Sequence, residues 1–215
     1  MNRRELEYDL NLALRPSKNP LSGPSRDWIA ERFGTTADGL VDLTRLTLWD
    51  VFGVEWSRVD LSHSTLVFGV VDGQQRTASG RLGSPSAKFE DCNMSRISVR
   101  DSNVMGMYIR CNFSAAILAR AHFWGRFESC CFRKANMSSC RMNGTPSDQW
   151  KFLDCDFTEA NFKRCNVTGV VFERCDFTGV KWQKGAFTSC RLRDCNIDLD
   201  AMASADVFLE YTRRE

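Results

Sequence analysis

The stretch CDFTEANFKRCNVTGVVFERCDFTG, residues 155–179, divides into five-residue units: CDFTE, ANFKR, CNVTG, VVFER and CDFTG. An α-helix repeats every 3.6 residues and a β-strand every two, so neither regular element explains a period of five. The third residue of each unit is large and apolar, and the first is small or modest in size. The pattern therefore predicts a backbone in which five residues form one side, with two side chains inward and three outward.

The same period extends well beyond this stretch. We call the third residue of each unit the centre. From Phe127 to Val207 the centres recur every five residues, and only Ser147 among them is polar. Upstream, a block of centres runs in steps of five from Phe89 to Ile109, and four-residue steps separate the blocks. Four sides make one square turn of about 20 residues, so the centres predict about seven to eight stacked coils.

The units ANFKR, CDFTE, CDFTG and CNFSA resemble the consensus of the pentapeptide-repeat family, in which a small residue precedes Asp or Asn and then Leu or Phe. The resemblance covers roughly residues 41–209 and is densest at 87–199. It implies an all-β fold, the right-handed quadrilateral β-helix of that family. The ends of such a solenoid expose unpaired strand edges, which must be capped.

The two ends of the chain lack the five-residue period and are predicted to cap the solenoid. In residues 1–40, ELEYDLNLAL is a candidate helix, and Ser25 is placed to cap a second helix, RDWIAERF, which Gly34 would end. Residues 200–215 are expected to form a C-terminal helical cap that overlaps the last coil. The N-terminal segment is alternatively an arm that binds a partner or targets the protein.

Two inserted loops are predicted within the repeat region, at 73–86 and 144–149, where Gly, Ser and Pro interrupt the pattern. A loop that protrudes from a regular scaffold is a common place for function. Arg76 and Arg81 in the first loop are therefore candidate contact residues.

The sequence shows no arrangement typical of catalysis or of cofactor binding. Phosphate-loop motifs and paired CxxC motifs are absent, and His63 and His122 are the two histidines. No catalytic residue, metal or cofactor is predicted. The ten cysteines occupy mostly the small inward place, except Cys131, which takes an outward place. Two stacked columns are expected, one of Cys92, Cys111 and Cys130 and another of Cys155, Cys175 and Cys195.

Charge is nearly balanced over the whole chain, with 29 basic and 27 acidic residues and a net charge of +2. When the centres are assigned to four faces in order, one face carries basic residues and no acidic ones over residues 87–199. We predict that this face binds an acidic protein surface or a phosphate-bearing partner. Its outward residues are His122, Trp124, Arg141, Lys163, Arg164, Lys181 and Lys184.

Three functions remain open at this point. The first is a non-enzymatic scaffold that acts through protein–protein contacts on its faces and loops. The resemblance implies a second, because some members of the family mimic DNA and bind DNA gyrase, although a net basic solenoid does not suit such mimicry. The third is nucleic-acid binding through basic faces, for which a pI near 8.0 is low. The resemblance also implies a homodimer formed through the C-terminal end.

The chain is expected to be cytoplasmic. It contains no run of 18 apolar residues that would span a membrane. Its first residues, MNRRELEYDLNLAL, are charged where a signal peptide requires an apolar core.

Overall fold

The fold is that of a computed structural model, which describes residues 2–14, 23–48, 51, 54–66, 70–71, 74–75, 81–82, 87–144 and 151–214. Three α-helices lie near the two ends of the described chain: α1 (Arg3–Ala13), α2 (Arg26–Phe33) and α3 (Leu199–Ser204). They confirm the predicted N-terminal helices and the C-terminal helix. The predicted loops at 73–86 and 144–149, with Arg76, fall largely outside the described residues.

Short β-strands make up the rest of the regular structure. In chain order they are β1 (Val41–Asp42), β2 (Thr47–Leu48), β3 (Glu55–Ser57), β4 (Val59–Asp60), β5 (Thr65–Leu66), β6 (Val70–Val71), β7 (Gln74–Gln75), β8 (Arg81–Leu82), β9 (Lys88–Glu90), β10 (Asn103–Ile109), β11 (His122–Glu128), β12 (Arg141–Asn143), β13 (Lys151–Leu153), β14 (Asn166–Thr168), β15 (Val171–Glu173), β16 (Ala186–Thr188), β17 (Arg191–Arg193), β18 (Phe208–Glu210) and β19 (Arg213–Arg214). Except for the antiparallel pair β6–β7, these strands pair in parallel with strands of the neighbouring coil.

Successive coils stack so that each centre lies above a centre of the preceding coil. Tyr108 pairs with Phe127, and Phe127 with Phe152. Isolated bridges continue this stacking where the coil forms no strand. The four resulting columns are the sides of a square β-solenoid: side A holds Trp56, Phe89, Tyr108, Phe127, Phe152, Phe172 and Leu192; side B holds Leu43, Leu61, Met94, Phe113, Phe132, Phe157, Phe177 and Ile197; side C holds Leu48, Leu66, Val99, Leu118, Met137, Phe162 and Trp182; side D holds Val104, Phe123, Met142, Val167, Phe187 and Leu209.

Stacked aromatic rings fill the interior. The ring centroids of Phe127 and Phe152 lie 4.7 Å apart, and those of Phe157 lie 5.0 Å from both Phe132 and Phe177. Hydrogen-bonded strands are separated by about 4.8 Å, so one coil spacing suits both the backbone bonds and the ring contacts. Each stacked pair adds about 0.5–1.5 kcal/mol beyond the burial of its surface.

The Asn or Asp that precedes many centres holds the corner of the coil. Its side-chain oxygen accepts a hydrogen bond from the backbone N–H two residues later, as Asp156 does from Thr158 (2.8 Å) and Asp176 from Thr178 (2.9 Å). This local bond is the usual one for an Asx turn. The polar second place of the repeat therefore has a structural role.

One predicted centre is wrong. Tyr108, not Ile109, is fully buried on side A, and Ile109 is only half-buried. The four-residue step falls earlier than predicted because β10 runs through a corner at Gly106 without turning and pairs residue for residue with β11. Gly125 lies beside Gly106, and a Cβ atom there would sit 2.2 Å from the carbonyl oxygen of Gly106. Glycine is needed at that position because the two backbones approach so closely.

The length of one coil also departs from the prediction. Phe152 pairs with Phe172, 20 residues later, but Met142 pairs with Val167, 25 residues later. The ladder therefore passes over one complete five-residue unit in the region that includes residues 145–150, which lie outside the described chain. The interpretation of Ser147 as the centre of a full side is wrong for this reason.

Helix α1 covers the open edge of the first coil with polar side chains one helical turn apart. Arg3 Nη2 donates to the carbonyl oxygen of Thr44 (2.7 Å), and Asn11 Nδ2 donates to that of Thr47 (2.9 Å). The backbone N–H of Thr47 donates to Glu7 Oε1 (3.2 Å). Backbone groups that would otherwise be unpaired at the edge are thus satisfied by the helix.

Helix α2 is capped as predicted and is tied to the first strands of side A. The Ser25 hydroxyl accepts from the N–H of Trp28 (3.2 Å), and Gly34 ends the helix with φ 73°. Arg26 Nε donates to the carbonyl oxygen of Ser57 (2.9 Å), which anchors the helix to β3.

The C-terminal cap is only partly helical. Helix α3 ends at Ser204, and the following residues return to the ladder as β18 and β19. Leu209 pairs with Phe187, and Val207 is buried, so the tail again follows the inward and outward pattern of a coil. The prediction of a helical cap over all of 200–215 is therefore wrong beyond α3.

The stacked core predicts a sharp contrast between two neighbouring residues of side C. Leu118 is fully buried, whereas Ile117, one residue earlier, points outward and is 36 % exposed. Leu118→Ala should lower the free energy of unfolding by about 2–5 kcal/mol because it leaves a cavity in the column. The matched Ile117→Ala should lower it by less than about 1 kcal/mol. Urea denaturation followed by circular dichroism measures both, and equal losses would contradict the register.

Candidate binding surface

The predicted basic residues do not share one face. Lys163, Arg164, Lys181 and Lys184 lie on side C, beside Phe162 and Trp182. His122, Trp124 and Arg141 lie on side D, beside Phe123 and Met142. The assignment to one face is therefore wrong, because the 25-residue coil places Phe162 above Met137 and not above Met142.

The two predicted loop residues have different outcomes. Arg76 lies outside the described residues. Arg81 lies in β8, where its backbone pairs with Asn103, and Asn103 pairs in turn with His122. Arg81 therefore belongs to the side D ladder, two coils below His122.

Side C carries a group of four exposed basic residues on two successive coils: Lys163, Arg164, Lys181 and Lys184, which we call the cationic cluster. Backbone bonds hold the two coils together, with Phe162 N–H donating to Lys181 (3.0 Å) and Arg164 N–H to Gln183 (2.8 Å). Across the part of the chain that the structure describes, none of the four side chains lies within ion-pair distance of a carboxylate.

Many acidic side chains elsewhere on the solenoid are neutralised by a basic neighbour, often one coil away. Arg120 holds the pKa of Asp101 below its ordinary value, and Arg174 does the same for Asp154, because each guanidinium donates hydrogen bonds to the carboxylate. The cationic cluster differs from these pairs in having no counter-charge. The observed pairs are Glu90–Arg110, Asp91–Arg110, Asp101–Arg120, Glu128–Arg126, Asp154–Arg174, Asp156–Arg133 and Glu159–Lys134.

The side D residues form a weaker electrostatic surface. Partial burial, and then the charge of Arg141, hold the pKa of His122 below its ordinary value, so His122 adds no charge near neutral pH. Trp124 is 37 % exposed and pairs in the ladder with the half-buried Met105, close to the exposed Met107. This end of side D is therefore largely apolar, with Arg141 as its exposed cation.

Trp182 is the residue near the cationic cluster that the sequence pattern did not identify as a surface group. It occupies a centre position, yet it is only half-buried. Its ring lies 5.4 Å from that of Phe162, and the chain that follows it on side C enters helix α3 and not another strand. The approach of the helical cap is the signal that this last centre would be incompletely covered.

The cysteines form one continuous inner column and not the two predicted. Cys130 contacts both Cys111 below and Cys155 above, because the 25-residue coil brings the two predicted columns into line. Burial raises the pKa of Cys155 and Cys140 well above the ordinary value, which disfavours the reactive thiolate. The column is Cys92, Cys111, Cys130, Cys155, Cys175 and Cys195.

Thiol labelling tests this arrangement. Nine of the ten cysteines are buried, and Cys131 alone is partly exposed, where it replaces the usual Asn or Asp before a side B centre. A disulfide reagent such as dithionitrobenzoate should modify one thiol of the native protein, and Cys131→Ser should abolish that reaction. All ten thiols should react in urea. Rapid native labelling of several cysteines in the Cys131→Ser variant would contradict the inward column.

The described residues contain no helix that is long and apolar enough to cross a membrane.

A family model for pentapeptide repeats matches residues 155–196 with eight copies. No curated protein sequence matches the chain. Among solved structures, QnrB1, a plasmid-mediated fluoroquinolone resistance protein, is 18 % identical, with a TM-score of 0.34 and 79 % of each chain covered. HetL, from the cyanobacterium Nostoc sp. strain PCC 7120, is 13 % identical, with a TM-score of 0.30 and 88 % of this chain and 94 % of HetL covered. At such low identities and scores, neither protein informs the function of this chain.

Proposed function

This chain is a pentapeptide-repeat protein, and we propose that it acts as a non-enzymatic binding protein whose cationic cluster recognises an acidic surface on a protein partner. The observation that carries the proposal is the set of four exposed cations on two adjacent coils, without a carboxylate within ion-pair distance among the described residues. Charge of one sign on a rigid surface attracts and orients a partner of opposite charge.

The geometry of the cluster suits a folded partner. Its two coils are held by backbone bonds, so the four charges sit on a surface that is organised before binding. Trp182 lies among them and is half-buried, and a half-exposed tryptophan provides apolar contact area in many protein interfaces. A rigid surface of this kind loses little conformational entropy when the partner binds.

Nucleic-acid binding is less well supported. On side C below the cluster, Ser138 and Ser139 are neutral, and Arg120 is already paired with Asp101. The unpaired charge therefore covers only two coils, about 4.8 Å apart. Proteins that track a nucleic-acid backbone use longer basic grooves, with aromatic side chains along them for the bases.

Mimicry of DNA, and a DNA gyrase interaction based on it, has no support in the charge distribution. A DNA mimic needs a continuous row of unpaired carboxylates. On side B, Asp156 is bonded to Arg133 and Thr158, and Asp176 to Thr178 and Asn196. These carboxylates hold the coil together, and so they do not form a free acidic stripe.

Reversal of the cluster tests the proposal. The triple variant Lys163→Glu, Arg164→Glu and Lys184→Glu should weaken binding to a fluorescein-labelled oligoglutamate peptide by at least about tenfold in an anisotropy titration. Glu is compatible with the left-handed backbone of Arg164 and Lys184, because Glu159 adopts the same conformation.

The control has the same change in net charge. Arg96→Glu, Arg141→Glu and Lys151→Glu reverse three basic residues away from the cluster and should change the peptide affinity by less than about threefold. Equal losses in the two triple variants would show a general charge effect and would contradict a defined site. Tight, saturable binding of a DNA duplex, with no binding of the peptide, would favour the nucleic-acid alternative.

We further propose that the chain forms a homodimer through its C-terminal end. Phe208 is 59 % exposed and Tyr211 is 79 % exposed, and both lie in or next to the last strands. Exposed aromatic side chains at an open solenoid end are suited to cover by a second copy. Light scattering should give a dimer for the native chain and a monomer for the double variant Phe208→Ser and Tyr211→Ser. A native monomer would contradict this proposal.

A further inference from the structure

A cleft lies at the opposite end of the solenoid, between the start of α1 and side B of the first two coils. It is lined by Arg3, Thr44, Arg45, Ser62 and His63 and has a volume of about 640 Å³. That volume lies in the range of sites for small molecules. Every lining residue brings a hydrogen-bond donor, and none is acidic.

Arg3 is fixed at the helix side of the cleft. Its Nη2 atom donates to the carbonyl oxygen of Thr44 (2.7 Å) and to Asp42 Oδ1 (3.3 Å). No partner of its Nε or Nη1 atom is seen among the described residues, so the rest of the guanidinium is available to a ligand. Asp42 is itself occupied, since it also accepts from the Thr44 hydroxyl (2.7 Å).

Arg45 and His63 occupy the solenoid side of the cleft at equivalent positions of successive coils. Both are exposed, and both have left-handed backbone conformations, with φ 57° and 61°. The N–H of Arg45 donates to the carbonyl oxygen of Ser62 (3.1 Å), which fixes the distance between the two coils. In the part of the chain described, neither side chain has a carboxylate partner.

Donors that converge from three directions favour a tetrahedral oxyanion. Guanidinium groups bind phosphate oxygens through paired, charge-assisted hydrogen bonds. Arg3 is the first residue of α1, so the positive end of the helix dipole adds to the potential there. The hydroxyl groups of Thr44 and Ser62 lie between the two arginines in the lining. We propose that this cleft binds the phosphate group of a small phosphomonoester.

Arg96 provides a natural comparison. It follows His63 in the same column, on the next coil, with the same left-handed backbone (φ 56°) and similar exposure. It does not line the cleft, because the start of α1 lies against the first coil. A stripe of basic residues alone would make Arg45 and Arg96 equivalent, whereas a cleft closed by α1 makes Arg45 distinct.

Calorimetric titration of the full chain with inorganic phosphate and with ribose 5-phosphate tests the site. The ionic strength is held constant with sodium chloride. Arg45→Asn removes the charge but suits the left-handed backbone, since Asn tolerates that region. It should weaken binding of both ligands by at least about tenfold, consistent with the loss of a charge-assisted bond. Arg96→Asn should leave both affinities unchanged.

A second variant guards against a folding defect. If circular dichroism shows that Arg45→Asn has lost the native spectrum, His63→Asn is measured in its place and should also weaken phosphate binding. Stronger binding of ribose 5-phosphate than of inorganic phosphate would identify the phosphomonoester as the better ligand. Absence of saturable binding of either ligand, or equal losses in Arg45→Asn and Arg96→Asn, would overturn the proposal.

Discussion

Backbone hydrogen bonds between successive parallel coils are the interaction on which the rest of this structure depends. Phe132 N–H donates to the carbonyl oxygen of Asp156 (2.7 Å), and Asp156 N–H donates back to that of Cys130 (3.0 Å). The same exchange recurs up the solenoid and sets the coil spacing. A single coil cannot bury its centres, so the core exists only because neighbouring coils cover one another. The two end coils need helices for the same reason.

The coil spacing also organises the surface. Residues at equivalent places in successive coils come close together, so a carboxylate on one coil meets a basic residue on the next, as Asp154 meets Arg174. Most of the acidic side chains are used in this way or in the Asx turns at the corners. The cationic cluster and the cleft under α1 are the two places where basic side chains gather without such partners. Both lie near ends of the solenoid, where a helix replaces or covers part of a coil.

The period of the sequence was sufficient to predict the sides of the solenoid and the inward residues, because a large apolar centre recurs every five residues. The helix caps Ser25 and Gly34 were predicted for an equally local reason. Tyr108 and Ile109 could not be separated by hydrophobicity, since both are apolar. The glycines at 106 and 125, one coil apart, are the signal that marks that corner.

The faces were predicted less well than the sides. An insertion of five residues keeps the phase of the repeat, so the pattern around Ser147 gave no sign that one unit is left out of the ladder. Every later residue was therefore assigned to the wrong neighbouring side. The cleft depends on contacts between Arg3 and residues about 40 positions later. A repeat pattern carries no information about such a contact, because α1 lies outside the repeat.

The most direct test of this account is the register of the ladder across residues 142–167. Backbone nuclear Overhauser contacts of Met142 should connect it to Val167, its partner 25 residues later. That result would place Lys163 and Arg164 on side C, in the cationic cluster. Contacts from Met142 to Phe162, 20 residues later, would contradict the account, because they would move the cluster onto the side of His122 and Arg141.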